Sequence, residues 1–97
     1  MKIKILEPAE KDLAEAFDFY QSQLTGLGKR FMDSFIQAVE LIKLVPCGWI
    51  KVSKNTRRIN VKGFPYLILY VIDGEIILIT FVCHSHRDPN YYQKYFQ

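Results

Sequence analysis

The chain has 97 residues, of which 49% are hydrophobic and 24% charged, and its formal net charge is +3. This length allows one domain with one core, and no apolar run is long enough to span a bilayer. The first six residues, 1–6, lack the apolar centre of a secretory signal. We therefore expect a single domain over residues 1–97, located in the cytoplasm and without a membrane partner.

The first half of the chain predicts a strand followed by two helices. Residues 2–6 alternate polar and apolar side chains, as expected for a short strand. Glu7-Pro8 then begins a helix, because proline suits the first helical position. Apolar residues recur at three- and four-residue steps over residues 8–24 and again over residues 27–45. With only Thr25-Gly26 between them, the two helices are predicted to form an antiparallel hairpin.

Two apolar, β-rich runs form the centre of the second half, Tyr66–Ile72 and Glu75–Cys83. They flank Asp73-Gly74, a dipeptide typical of the type I′ turn of a β-hairpin, because glycine readily accepts a positive φ. A two-residue turn at this dipeptide places Tyr66 opposite Phe81. Both sides of the hairpin are apolar, so we expect it at the centre of the sheet.

The remaining residues complete the predicted fold. Residues 47–55 show no periodicity and predict a loop, with Trp49 packed against the core. Residues 56–61 predict a strand whose apolar members face the helices, and residues 90–96 predict a short terminal helix. The order is therefore β-αα-βββ-α, an α+β fold with a mostly antiparallel sheet and the helical hairpin on one face.

Charge is distributed unevenly along the chain. Residues 1–50 hold six basic and seven acidic residues, a net charge of −1, whereas residues 51–97 hold seven and three, a net charge of +4. This asymmetry favours a polyanionic or acidic partner, although a basic surface can also serve solubility alone. Because one helical hairpin covers only one sheet face, the other face is predicted to keep a partly exposed apolar groove edged by basic residues.

Several short motifs resemble the ParE/RelE superfamily, the toxins of bacterial type II toxin–antitoxin (plasmid stabilisation) modules. The motifs occur in the family's order along nearly the whole chain. They are Ala14-Glu15-Ala16 with Tyr20, Gly26-Leu27-Gly28-x-x-Phe31, Arg58-x-x-x-x-Gly63-Phe64-Pro65-Tyr66-x-Ile68-x-Tyr70, and His84-x-x-Arg87-x-Pro89-x-Tyr91-Tyr92. The resemblance implies the RelE/ParE-like fold and a cognate antitoxin whose tail covers the toxin.

The resemblance leaves the activity open. ParE-type members poison DNA gyrase without cutting nucleic acid, whereas RelE-type members cut mRNA on the ribosome. We expect a ParE-like, growth-inhibiting toxin with a cytoplasmic target such as DNA gyrase, because the basic cluster near the end of the chain is sparse and includes Asp88. The alternatives are a ribosome-dependent mRNA endonuclease and a non-toxic relative that only binds an antitoxin. Whether the chain is an enzyme is therefore open at this point.

Candidate site residues follow from these alternatives. A metal-independent endonuclease needs a group that deprotonates the 2′-hydroxyl and cations that stabilise the phosphorane. The predicted register places His84 opposite Gly63, near Arg58 and Lys62. For a nuclease alone, the catalytic candidates are His84, Arg58, Arg87 and Tyr91. For binding of an antitoxin or a target, the candidates are Lys54, Arg57, Arg58, Asn60, Lys62, His86, Arg87 and Tyr92.

A zinc site is not expected. Cys83 and His84 are neighbours on a strand, so their side chains point to opposite faces, and a fourth ligand to accompany them and His86 is not evident. We predict neither a metal nor another cofactor.

Overall fold

The computed structural model describes residues 1–85, so the expected helix over residues 90–96 lies outside the described residues. The elements are β1 (Lys2–Ile5), α1 (Glu7–Gln23), α2 (Leu27–Leu44), β2 (Ile50–Lys51), β3 (Thr56–Asn60), β4 (Tyr66–Asp73) and β5 (Ile76–His84). The strands form one sheet in the order β1-β5-β4-β3-β2, in which β1 runs parallel to β5 and the other pairs are antiparallel. The α+β fold with a mostly antiparallel sheet is confirmed.

The two helices pack on one face of the sheet and bury their apolar stripes there. Pro8 lies in the first turn of α1, and Glu7 and Glu10 place negative charge where the helix dipole favours it. From α2, Phe31 and Ile42 are fully buried in the core, together with the inner residues of β4 and β5. No helix among the described residues has the length and apolar character needed to cross a membrane.

The helical hairpin depends on a close contact at the start of α2. Gly26, with φ 91°, turns the chain, and Gln21 Oε1 accepts the N–H groups of Gly26 and Gly28 at 3.1 and 3.2 Å. A Cβ atom at Gly28 would lie 2.8 Å from Phe17 Cε2 and 3.0 Å from the Phe17 carbonyl oxygen. Glycine at position 28 therefore lets the two helices approach each other.

The β4–β5 hairpin differs from its predicted register. Asp73 pairs with Ile76, so the two loop residues are Gly74 and Glu75. Gly74 has φ 61°, and no non-glycine residue between 1 and 85 has a positive φ. This is the pattern of a type II′ turn, which places glycine first and needs a positive φ at that position alone. The predicted type I′ turn at Asp73-Gly74 is wrong because Asp73 remains in the strand.

A β-bulge shifts the register further along the same hairpin. Tyr70 pairs with Ile79 but Leu69 pairs with Phe81, which leaves Thr80 as the extra residue. The Thr80 hydroxyl donates to the Leu69 carbonyl at 3.1 Å. Beyond the bulge the faces of β5 are exchanged, so Phe81 lies on the sheet face away from the helices. The predicted pairing of Phe81 with Tyr66 is therefore wrong.

The bulged end of β5 is held by a side chain of α1. The pairing of β1 with β5 ends at Ile79, so beyond this point β5 has no neighbouring strand from residues 1–85 on that side. There the backbone N–H of Val82 donates to Asp12 Oδ2 at 2.9 Å. The Asp12 carboxylate thus satisfies a backbone donor that a strand would otherwise pair.

The segment over residues 47–55 is not entirely a loop. Its residues Ile50–Lys51 pair antiparallel with Arg57 and Arg58 as the edge strand of the sheet. Trp49 packs against the core as predicted, and its indole Nε1 donates to the Leu41 carbonyl at 3.2 Å. A two-residue strand is too short to produce a periodic sequence pattern, which explains why it was not predicted.

Tyr70 joins the sheet to the segment that follows α2. Its ring is fully buried, and its hydroxyl donates to the Pro46 carbonyl at 2.6 Å. Burial raises the pKa of Tyr70 to about 12; nearby Arg57 acts in the opposite direction, and Cys47 adds a further increase. The buried hydroxyl therefore remains neutral at any pH near neutrality.

Replacing Gly28 by Ala should lower the free energy of unfolding by about 1–2 kcal/mol, because crowding against Phe17 outweighs the gain in helix propensity. Urea unfolding measures the change. Gln37→Ala, at an exposed position in the middle of α2, is the matched control and should stay within about 0.5 kcal/mol of the parent protein. Equal stability of both variants would show that the helices do not meet this closely.

Stability should also fall at high pH because of Tyr70. Below pH 10 its hydroxyl is protonated in both the folded and the unfolded chain, but between pH 10 and about 12 only the folded chain keeps the proton. The free energy of unfolding should therefore decrease through this window, by an amount on the order of 3 kcal/mol. Tyr70→Phe removes the effect, so the stability difference between parent and variant should shrink from pH 9 to pH 12. A constant difference would contradict this assignment.

Candidate binding cleft on the outer face of the sheet

The face of the sheet that points away from the helices, here called the outer face, carries the candidate site. Alternate residues of β4, Leu67, Leu69 and Val71, point to it because Ile68 and Tyr70 belong to the core under the helices. Cross-strand pairing adds their neighbours from β3 and β5. These are Thr56, Arg58 and Asn60 from β3, and Leu78, Phe81 and Cys83 from β5.

A cleft of about 600 Å³ opens at the end of the outer face where β3 leads into β4. Its polar lining comes from Arg58, Asn60, Lys62 and Ser85. The apolar and aromatic residues that line it are Val52, Val61, Phe64, Tyr66, Leu67 and Leu69. Three of the predicted binding residues thus share one cleft.

The polar lining of the cleft is partly ordered by its own contacts. Arg58 Nη1 donates to Asn60 Oδ1 at 3.5 Å, while the side chain of Lys62 is exposed. Arg58 is half-buried directly opposite Leu69, as expected when an arginine stem lies along an apolar neighbour. Such an arrangement can hold an acidic group at the rim while apolar atoms of the same partner contact the floor.

The apolar groove is narrower than the sequence predicted. Leu67 and Leu69 are only 6% and 0% exposed, which corrects the expectation of an open surface above them. The half-buried apolar residues of the outer face are Val71, Leu78 and Phe81. Apolar surface on this face is also exposed at Ile76 of β5 and, beyond Arg58, at Ile50 of β2. The charged groups of the cleft itself lie on the β3 side.

Two further predicted binding residues lie outside the cleft. Arg57 points to the helix side, where its Nη1 donates to the Trp49 carbonyl at 2.8 Å. Lys54 is exposed in the connection between β2 and β3. The predicted residues His86, Arg87, Tyr91 and Tyr92 lie outside the described residues.

His84 does not lie opposite Gly63, which corrects the predicted register. It pairs with Tyr66, and the two ring centroids are 5.2 Å apart at an angle of 69°. Tyr66 packs against the core on the helix side, where it also contacts Tyr20 and Phe31. His84 therefore faces the side of the sheet opposite to Arg58 and does not line the cleft, although its ring partner Tyr66 does.

Charge is separated between the two layers of the protein. The helices hold seven acidic and four basic residues, a net charge of −3, whereas the rest of residues 1–85 holds two acidic and seven basic residues, a net charge of +5. The two acidic residues outside the helices, Asp73 and Glu75, lie at the β4–β5 turn. The sheet with its connecting loops is therefore the cationic layer of residues 1–85.

Lys2 and Lys4 are outer-face residues that sequence reasoning missed. Ile3 and Ile5 of β1 pack against the core, so the lysines alternating with them point to the outer face, where both are exposed. The alternation is visible in the sequence. The sequence does not indicate that β1 pairs with β5. This pairing places the two lysines beside the apolar residues Ile76 and Leu78 of β5.

The burial of Leu69 can be tested by stability. Leu69→Ala should lower the free energy of unfolding by about 2–5 kcal/mol, the cost of a cavity at a fully buried position. Lys62→Ala, on the exposed rim of the same cleft, should change it by less than about 0.5 kcal/mol. Urea unfolding with the parent m-value serves as the measurement. A loss below about 1 kcal/mol for Leu69→Ala would mean that the residue is exposed.

The fold of this chain is similar to that of a solved structure. A chain of the solved structure "Chromosomal ParDE TA system from P. aeruginosa" superimposes with a TM-score of 0.78 over 89% of this chain and 97% of that one, at 17% sequence identity. The family model of the ParE toxin of the type II toxin–antitoxin system, parDE, matches residues 3–89. The chain therefore belongs to the ParE toxin family, the toxins of these type II systems.

The sequence of a ParE toxin from two strains of Mycobacterium tuberculosis is similar to that of this chain, in agreement with the family assignment. Toxin ParE2 of Mycobacterium tuberculosis, from strains CDC 1551 / Oshkosh and ATCC 25618 / H37Rv, is 29% identical over 90 residues. The match covers 92% of this chain and 86% of that toxin. Both the sequence match and the family model favour the ParE-like activity over the RelE-like alternative.

Proposed function

We propose that this toxin acts on a cytoplasmic target, DNA gyrase, through the cleft lined by Arg58, Asn60 and Lys62, and that a cognate antitoxin neutralises it by occupying the same cleft. The observation that carries the proposal is the combination of an apolar floor with cationic groups at the rim. A protein partner can satisfy both features at once, because its apolar side chains can cover the half-buried residues beside the cleft, Val71, Leu78 and Phe81, while its carboxylates pair with the rim.

The position of His84 supports inhibition by binding over cleavage of RNA. A nuclease needs its general base and its phosphate-binding cations around one reacting phosphate. Here His84 faces the helix side and is not among the residues that line the cleft with Arg58. Among the described residues, therefore, the binding arrangement is the better supported one.

Expression of the toxin alone in a bacterial host should stop growth and induce a DNA-damage reporter. Co-expression of the protein encoded by the neighbouring gene should restore growth. Purified toxin should inhibit supercoiling by gyrase in vitro. New 5′ ends in translated mRNA, found by primer extension without inhibition of gyrase, would contradict the proposed target.

The cleft residues can be tested by charge reversal. Arg58→Glu combined with Lys62→Glu should weaken binding of the antitoxin at least about tenfold, because two attractive contacts become repulsive. Titration calorimetry measures this affinity, and the growth assay measures the accompanying loss of toxicity. Lys11→Glu, a charge reversal at an exposed position of α1, is the control. It should leave both the affinity for the antitoxin and the toxicity within twofold of the parent values. Parent-like binding by the double variant would place the interface elsewhere.

A further inference from the structure

We propose that Lys2 and Lys4 form a second cationic side of the binding surface, on β1 and diagonally across the sheet from Arg58 and Lys62. The partner segment that this surface takes is then an amphipathic helix with acidic residues along both edges of its apolar stripe. The surface is called the trough here, with the half-buried residues Val71, Leu78 and Phe81 as its floor. The inference rests on the proposed function, because it specifies the chemistry of the partner that binds there.

The strand register fixes the width of the trough. Lys4 pairs with Leu78, Leu78 with Val71, and Val71 with Thr56, so these four residues form one row across the outer face. Arg58 lies two residues beyond Thr56 on the same strand and face. Three strand spacings of about 4.8 Å separate β1 from β3, which places the two cationic sides about 14 Å apart.

A helix fits these dimensions. An α-helix with its side chains is about 10–12 Å across, slightly less than the separation of the two cationic sides. The eight residues of β4 extend over about 26 Å, the length of a helix of roughly 18 residues. A helix can also present one apolar stripe to the floor and a row of carboxylates to each side.

The charges of the trough select the charges of the partner. Lys2 and Lys4 are both exposed on β1, and neither takes part in an ion pair found among residues 1–85. The acidic side chains within that range lie in α1 and α2 or at the β4–β5 turn. Asp73 and Glu75 at this turn line a pocket together with Lys2, so Lys4 is the β1 cation further from acidic groups. The toxin thus supplies cations along both sides of an apolar floor, and the complementary surface is apolar in the middle and acidic at both edges.

Two synthetic helical peptides of 18 residues and identical composition test this inference. In the first, glutamates flank a leucine stripe on both edges; in the second, the same glutamates are confined to one edge. Fluorescence anisotropy with the full-length toxin should give at least about fivefold tighter binding for the first peptide. Its affinity should also decrease as salt is raised.

Charge reversal on β1 provides the decisive comparison. Lys4→Glu should weaken binding of the first peptide about five- to tenfold, because a rim attraction becomes a repulsion. Lys11→Glu, which makes the same change on α1, should alter it by less than twofold. Equal effects of the two substitutions would overturn the inference, as would dissociation constants above about 1 mM for both peptides.

Two further results separate this inference from the proposed function. If Arg58→Glu weakens binding and Lys4→Glu does not, the cleft is a partner site with one cationic side, and only the present inference fails. If the toxin neither stops growth nor inhibits gyrase while the peptides bind as expected, the proposed function is wrong, and the inference that the trough binds an acidic amphipathic helix still holds. A dimer of the toxin alone that Lys4→Glu dissociates would identify a second copy as the occupant and overturn the partner helix.

Discussion

The structure depends on one constraint, a central hairpin that is apolar on both faces in a protein whose described helices cover one face. Packing of α1 and α2 buries Tyr70, Ile68 and Ile79 completely. The opposite face keeps Val71, Leu78 and Phe81 only half-buried, beside the groups that line the cleft. Helix packing on one side thus leaves a surface on the other side whose apolar area is most stable when a partner covers it.

Most of the fold could be predicted because its signals are local. The apolar stripes define α1 and α2, Gly26 marks the turn between them, and the alternation in β1 and β3 assigns their faces correctly. The turn of the β4–β5 hairpin was predicted within one residue. The bulge at Thr80 was not, because an inserted residue changes no propensity and its effect appears only in the pairing of two strands.

The candidate site could be predicted only in part, for the same reason. Arg58, Asn60 and Lys62 follow from alternation within one strand, and the structure places them together. The face of His84 depends on the bulge, and because the bulge was not predicted, His84 was assigned to the wrong face. Lys2 and Lys4 depend on the parallel pairing of β1 with β5, a contact between residues far apart in the chain. Nothing in the local sequence encodes such a contact.

The separation of charge between the layers has a consequence at distances beyond direct contact. With −3 on the helices and +5 on the rest of residues 1–85, the described molecule is an electric dipole roughly perpendicular to its sheet. In the field of a negatively charged macromolecule, such a dipole rotates before collision, so encounters begin with the cationic side facing that macromolecule. The acidic helices would repel the macromolecule in the reverse orientation. Added salt would weaken this preference for one orientation, because it screens the electric field.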